Sequence, residues 1–463
     1  MGARHRPCAG PRGSLPAAGA GGAPGMTSEF TLLIMFFGLV GLILTGLPLA
    51  FALGALAMLF TLLLWGPNAL VITVLQTFDT MTSEVLLAIP LYVFMAALLQ
   101  RSGIIESLYR AMELWFSRVS GGLAVGTVVI CTIMAAMTGI VGAAVAAMGI
   151  LALPSMLKRG YDQKLALGTI CAGGTLGILI PPSVITIVYA VTAQISVGQM
   201  FIGGVVPGLL LASLYIGYIV LRTLISPKLA PIGEDVEHAT WRVRVRALSA
   251  LVLPTLIIVG VLGSIYFGVA TPTEAAAVGV FGSMVSAALE RRLDADMLAR
   301  SVWDAARVSA MILWITIGAK AFVAIFTGTG GADFLLGFIE GLDANRYVVL
   351  GAMMLVLVFL GMFLDEIGII LLCVPVFLPV IQFLGFDLLW FGIIFLISAQ
   401  MAYITPPFGY TLFYLKGVVP KSIGMLTIYR AIVPFFILQV LGLLIAVAFP
   451  QLILWLPQQM IGG

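Results

Sequence analysis

Four short stretches combine side-chain oxygen with residues that interrupt a helix. They are Thr138 and Gly139 with Gly142, Thr175 with Gly177, Asp365 with Gly368, and Thr405 with Gly409. Each lies in or beside a long apolar run, and two of them adjoin paired prolines, Pro181-Pro182 and Pro406-Pro407. An unwound backbone exposes carbonyl oxygens, and a neighbouring hydroxyl or carboxylate adds more, a donor set that suits sodium. Half-helix C-termini turn their negative ends towards a cation, and half-helix N-termini favour an anion. At membrane depth, non-helical backbone survives only inside protein or beside a polar cavity. The breaks therefore point to an ion and solute site, with kinks and close helix packing as the competing reading.

Ionisable residues inside apolar runs carry the second signal, because burying them in a bilayer is costly. Asp365 is expected near the ion or solute, while Glu366 is expected to reach water. Lys320 either faces an anionic solute, pairs with an acid, or snorkels to the interface. No enzyme signature accompanies them: GxxxxGK[ST], HExxH and GxSxG are absent, and the two histidines, His5 and His238, stand in polar segments. The chain reads as a non-enzyme with no bound cofactor and no metal beyond sodium.

The elements that would hold these residues follow from composition. Of 463 residues, 61% are hydrophobic and 9% charged, with a mean hydropathy of +1.17. This is the balance of an all-α polytopic membrane protein whose solvent is lipid. A net charge of +3 gives no reason to expect a nucleic-acid partner. Cys131, Cys171 and Cys373 sit in apolar runs as small packing residues, and Cys8 lies in a Gly/Pro/Ala/Arg-rich stretch. That stretch, 1–25, reads as a disordered extension, with Met26 as the expected start.

The chain repeats itself. Pro154, Gly160, Asp162, Pro181 and Pro182 recur as Pro379, Gly385, Asp387, Pro406 and Pro407, at a constant offset (379 − 154 = 225). Gly54 and Gly279, Gly103 and Gly328, and Met137 and Met362 keep the same spacing. Paired interrupted segments in two halves mark a secondary transporter's binding site. Runs of about 20 apolar residues give a first repeat over 26–225, with spans near 30–46, 47–65, 84–100 and 201–225, a re-entrant hairpin at 121–158 and a broken helix at 164–192. A charged connector, 226–247, leads to a second repeat over 248–463. Its spans are near 248–267, 272–289, 308–327 and 427–449, its hairpin at 346–385 and its broken helix at 388–414. About ten crossings and two hairpins result, five crossings in each half, so the second copy must be inverted. Segments 102–118 and 293–307 are amphipathic and expected along the inner surface; Glu106 and Arg110 stand four apart, as do Arg300 and Asp304. Basic residues flank the first hairpin (Arg101, Arg110, Arg118, Lys158, Arg159, Lys164), whereas Arg346 is the single basic flank of the second. The first hairpin is thus expected to enter from the cytoplasm and the second from outside.

Several motifs in order resemble the large membrane subunit of tripartite ATP-independent periplasmic (TRAP) transporters: LPSMLKRGYD at 153–162, GTLGILIPPS at 174–183, FGVATPTEAAAVG at 267–279, GMFLD at 361–365 and ITPPFG at 404–409. The resemblance covers nearly everything from Met26. It implies a sodium-coupled importer in a bacterial inner membrane, with an elevator-type transport domain built from the hairpins and broken helices. A small four-helix membrane subunit, a periplasmic substrate-binding protein and a carboxylate-type organic anion would be its partners. This chain departs from the family's usual pattern at a first hairpin tip poor in serine and at Glu366, where a proline is common. A stand-alone sodium/dicarboxylate symporter and a non-transporting membrane scaffold are the alternatives.

Overall fold

The computed structural model describes residues 28–232 and 240–460; the 1–25 extension, Cys8 and the acidic part of the connector lie outside them. No strand occurs among the described residues. The first half runs α1 (Ser28–Leu44), α2 (Leu49–Trp65), α3 (Val71–Met81), α4 (Ala88–Arg101), α5 (Ile104–Phe116), α6 (Gly122–Thr138), α7 (Val141–Lys158), α8 (Gln163–Thr175), α9 (Val184–Ala193) and α10 (Val197–Ile225). After α11 (Trp241–Ala247), a short helix inside the expected connector, come α12 (Ser249–Tyr266), α13 (Pro272–Leu289), α14 (Ala295–Gly328), α15 (Gly331–Gly341), α16 (Arg346–Leu360), α17 (Glu366–Phe383), α18 (Leu388–Tyr403), α19 (Tyr410–Val418) and α20 (Met425–Ala448).

The offset seen in the sequence governs these boundaries. Helices α7 and α17 begin and end 225 positions apart (366 − 141 = 383 − 158). Asp162 and Asp387 cap α8 and α18 alike, each carboxylate accepting from the amide three residues on (Leu165 at 2.9 Å, Trp390 at 2.8 Å). Gly160 and Gly385 precede them in the same left-handed conformation. The halves interlock reciprocally: α2 packs on α14 and α4 on α13, while α9 packs on α17 and α19 on α7. Exchange of equivalent contacts is the mark of a two-fold relation. At the centre stand α8 and α18, buried on all sides over Leu165–Thr175 and Trp390–Tyr403, which is why neither has a polar stripe.

Among the described residues, seven helices are long and apolar enough to cross a membrane alone, and the α3–α4 pair, bent by 58°, makes an eighth. Two of the seven, α7 and α17, are hairpin arms. Among the expected crossings, α1 and α2 fall short at 17 residues each, and each broken helix is divided in two, α8 with α9 and α18 with α19. The chain is a multi-pass membrane protein.

Two expectations need correcting. Segment 293–307 does not lie separately along the surface: it is the first part of α14, one 34-residue helix capped by Asp294. No glycine or proline interrupts it before Gly318, whereas its counterpart in the first half breaks at Thr82–Glu84 between α3 and α4. The true repeat partner of the amphipathic α5 is α15. Nor do Arg300 and Asp304 pair along the helix. Arg300 reaches Asp296 at 2.9 Å, and Asp304 is held by Arg101 of α4.

The α2–α14 crossing depends on Gly318, where an added Cβ would lie 2.7 Å from the Ala50 carbonyl oxygen. Gly337, in α15, has open space around it. Gly318→Ala is therefore expected to destabilise the purified protein by ~1–3 kcal/mol through overpacking. Gly337→Ala is expected to stabilise it by up to ~1 kcal/mol through helix propensity. Thermal melting of the two variants in detergent checks the opposite signs.

Candidate functional site

The first hairpin turns in two residues. Gly139 ends α6 in a left-handed conformation (φ 58°), its amide bonded to the Ala135 carbonyl at 3.0 Å, and extended Ile140 starts α7. The second turns through 361–365. There Asp365 caps α17 with its side chain accepting from the Gly368 amide at 3.2 Å, which is favourable at a helix N-terminus. Each tip seats on the break of its own half. An added Cβ on Gly139 would lie 2.6 Å from the Pro182 carbonyl oxygen, and the Glu366 amide donates to the Tyr403 hydroxyl at 2.9 Å. Both breaks carry a cis proline–proline bond, Pro181-Pro182 and Pro406-Pro407. At the second, the Tyr403 and Thr405 carbonyls crowd the α-carbon of Gly409, which leaves no room for a side chain.

Both tips open onto one cavity of about 360 Å³. Gly139, Gly142 and Ile140 contribute from the first, Asp365, Glu366 and Ile367 from the second, with Tyr403, Tyr410 and Tyr414 beside them. Walls come from Val93 of α4 and from Val308, Met311 and Ile312 of α14. Tyr403 stacks on Tyr410 with ring centroids 5.4 Å apart, and the Tyr414 ring lies against Gly142.

Of the residues singled out in the sequence, Gly139, Gly142 and Asp365 line this cavity. Thr138 is buried behind the first tip, its hydroxyl bonded to the Met134 carbonyl at 2.9 Å, and Gly177 packs against Ile140. Gly368 follows its capping Asp365, and the Thr405 hydroxyl is turned to the Met401 carbonyl at 2.7 Å. Thr175 lies elsewhere. Its hydroxyl donates to the Ala172 carbonyl (2.8 Å) and accepts from the Gln400 and Gln439 amides (3.0 and 3.2 Å), which fills its hydrogen-bonding capacity. Glu366 is largely buried: it is 8% exposed and lines the cavity, because α17 begins at this residue and turns it inward.

Lys320 pairs with Asp79 at 2.6 Å in a separate cavity of about 250 Å³. Asp79 and Asp304 are repeat mates (304 − 79 = 225), so each half sends a carboxylate to a basic residue of the other. The sequence reading missed Asp79, the three tyrosines and two buried hydroxyls. These are Ser183 Oγ at the first break and Thr411 Oγ1 just past the second, both without a hydrogen-bond partner among the described residues. The signals available were Tyr189 and Tyr414 at the 225 offset and a lone Asp in an otherwise uncharged α3.

If Lys320 serves Asp79 rather than a solute, Lys320→Met should lower the melting temperature, because it leaves Asp79 unmatched. Adding Asp79→Asn should restore most of the loss, as a double-mutant cycle in detergent would read out. Equal losses that simply add would exclude the pairing.

Residues 34–452 match the family described as the DctM component of tripartite ATP-independent periplasmic transporters. The C4-dicarboxylate TRAP transporter large permease protein DctM of Pseudomonas aeruginosa is 33% identical over 86% of this chain and 92% of its own. The ectoine/5-hydroxyectoine TRAP transporter large permease protein UehC of Ruegeria pomeroyi is 31% identical over 91% and 97%. The isethionate TRAP transporter permease protein DctMQ of Oleidesulfovibrio alaskensis is 31% identical over 90% of this chain and 65% of its own. Among solved structures, the Alcanivorax borkumensis YdaH transporter shares the fold with a TM-score of 0.60 at 15% identity, covering 91% of this chain and 98% of that one. With its hairpin tips and paired breaks gathered at one cavity and a family match over most of its length, the chain belongs to the DctM, or large permease, family of tripartite ATP-independent periplasmic transporters.

Proposed function

We propose that this permease imports an organic acid across a bacterial inner membrane, coupled to sodium, and receives it from a periplasmic substrate-binding protein. A small four-helix membrane subunit completes the assembly. The observation that supports the reading most is the convergence of both hairpin tips on one cavity, with a helix break directly behind each. Hard oxygen is available at both places. The first offers the Pro182 carbonyl near Gly139 and the unpartnered Ser183 hydroxyl. The second offers Asp365, the Tyr403 and Thr405 carbonyls around Gly409, and the unpartnered Thr411 hydroxyl. Sodium favours such ligands, and the C-terminus of α18 adds a negative helix end. Thr138, Gly142, Gly177, Gly368 and Thr405 act in this reading by shaping the backbone around the ions. Thr175 is a packing residue. The relatives' names, C4-dicarboxylate, ectoine and isethionate, agree with a small organic acid. In the transport cycle the hairpins and broken helices would move together, elevator-fashion, between the two faces, which are related by inversion of the repeats.

Reconstitution tests this directly. Uptake into proteoliposomes is expected only with the binding protein, the small subunit and an inward sodium gradient together. Activity from this chain alone would favour a stand-alone symporter, and no uptake under any combination would favour a scaffold. Asp365→Ala and Thr405→Ala are expected to raise the sodium concentration for half-maximal uptake several-fold at unchanged expression. Unaltered sodium activation in both would remove the second ion site.

A further inference from the structure

We propose that this permease holds an anionic phospholipid by its phosphodiester headgroup, in a basic pocket at one end of α8, α10 and α20. The pocket, a cavity of about 320 Å³, is separate from the one at the hairpin tips. Lys164 from the first turn of α8, Arg222 from the last turn of α10 and Arg430 near the start of α20 line it. Asp162 is the single acid in the lining, and its carboxylate already accepts from the Leu165 amide at 2.9 Å. No ion pair holds Lys164, Arg222 or Arg430 among the described residues.

Three cations brought together by three helices repel one another, and an anion between them offsets that cost. Helices α8 and α20 both begin at this end, so their N-termini add partial positive charge. The planar fork of arginine meets phosphate oxygens with two parallel hydrogen bonds, and lysine adds a point charge. Basic pockets between membrane helices on the cytoplasmic side bind acidic lipid headgroups. Lys158, Arg159 and Lys228 in the adjoining segments mark this edge as the cytoplasmic one.

The surface next to the cations favours a lipid over a free phosphate. Val433 and Ile437 follow Arg430 at spacings of three and seven, so they share its face of α20, and both are exposed. Leu221, beside Arg222 on α10, is exposed as well. Tyr218 and Phe435, with ring centroids 5.3 Å apart, line the pocket where α10 meets α20. A headgroup among the cations would therefore lay its acyl chains along apolar surface at hydrocarbon depth. A soluble phosphate would gain nothing from that surface. Such a lipid would tie the ends of α10 and α20 to α8, whose far end carries Thr175 and the first break.

The full-length permease, stripped of lipid in maltoside detergent, is melted with dioleoylphosphatidylglycerol or dioleoylphosphatidylcholine at equal mole ratio. Both lipids carry a phosphodiester, but only the first has a net negative charge. The expected rise in melting temperature is at least twice as large with phosphatidylglycerol. Arg222→Gln together with Arg430→Gln should cut that excess by half or more. Arg242→Gln together with Lys421→Gln, two exposed cations outside the pocket, should leave it in place. Lys164→Gln alone should also reduce the excess, and it serves as the test if the double variant does not fold. Equal shifts with the two lipids, an excess that survives the pocket variants, or an equal loss in the control pair would overturn the proposal. So would glycerol phosphate alone matching the phosphatidylglycerol shift, which would make the pocket a site for a soluble phosphate.

Discussion

Everything in this structure answers to one constraint: a chain that stops being helical inside a bilayer must find partners for the backbone groups it frees. Two broken helices and two hairpin turns concentrate such groups at four places, and no lipid could satisfy them. The fold meets the constraint by seating each tip on the break of its own half. The tip at Gly139 lies on the Pro182 carbonyl, and the tip at Glu366 donates its amide to Tyr403. The cavity between the tips is the space left over when rigid helix ends meet. The cavity is therefore a by-product of satisfying the backbone, and the side chains around it decide what it could hold.

The two-fold relation between the halves makes this burial possible. A residue and its own repeat mate can touch only where the axis passes between them. Thr175 and Gln400 are such a pair, and they are bonded at 3.0 Å, with Gln439 and Tyr215 close by, all fully buried. Thr175 therefore serves as a pin on the axis, its hydroxyl saturated by amides. The pin sits in the last turn of α8, immediately before the first break, and Gln400 is in the last turn of α18. Two helix ends fixed against each other at the axis set the position of both breaks. Further out, Asp79–Lys320 and Arg101–Asp304 tie the bent α3–α4 arm to the unbroken α14 on both sides of the axis.

Much of this was legible in the sequence, because it depends on backbone. Glycine, proline and capping aspartate keep their register over 225 positions, and they fix where helices start, stop and turn. The hairpins, the breaks and the interlocked halves follow from Gly139, Asp162, Pro181 and their counterparts. What the sequence concealed depends on which way a helix faces. Glu366 reads as a residue next to a loop, but as the first residue of α17 it points inward. Thr175 reads as an oxygen at a break, but the axis places two glutamines on it. Segment 293–307 reads as an interfacial helix because of its charges, yet with no breaker in it the helix simply continues into α14. Asp79 is the clearest case: alone in a moderately apolar helix it carries no pattern, and its role exists only once α14 brings Lys320 beside it.

Symmetry of the backbone and asymmetry of the side chains then divide the labour. The residues equivalent to Asp365 and Glu366 in the first half are Ile140 and Val141, so the two tips meet the same cavity with opposite character, one apolar and one acidic. Carboxylates at both tips would crowd four acidic groups around one small cavity, where burying charge is costly. Leaving one tip apolar halves that number. The repeated backbone supplies two equivalent tips, and their side chains make them chemically unlike.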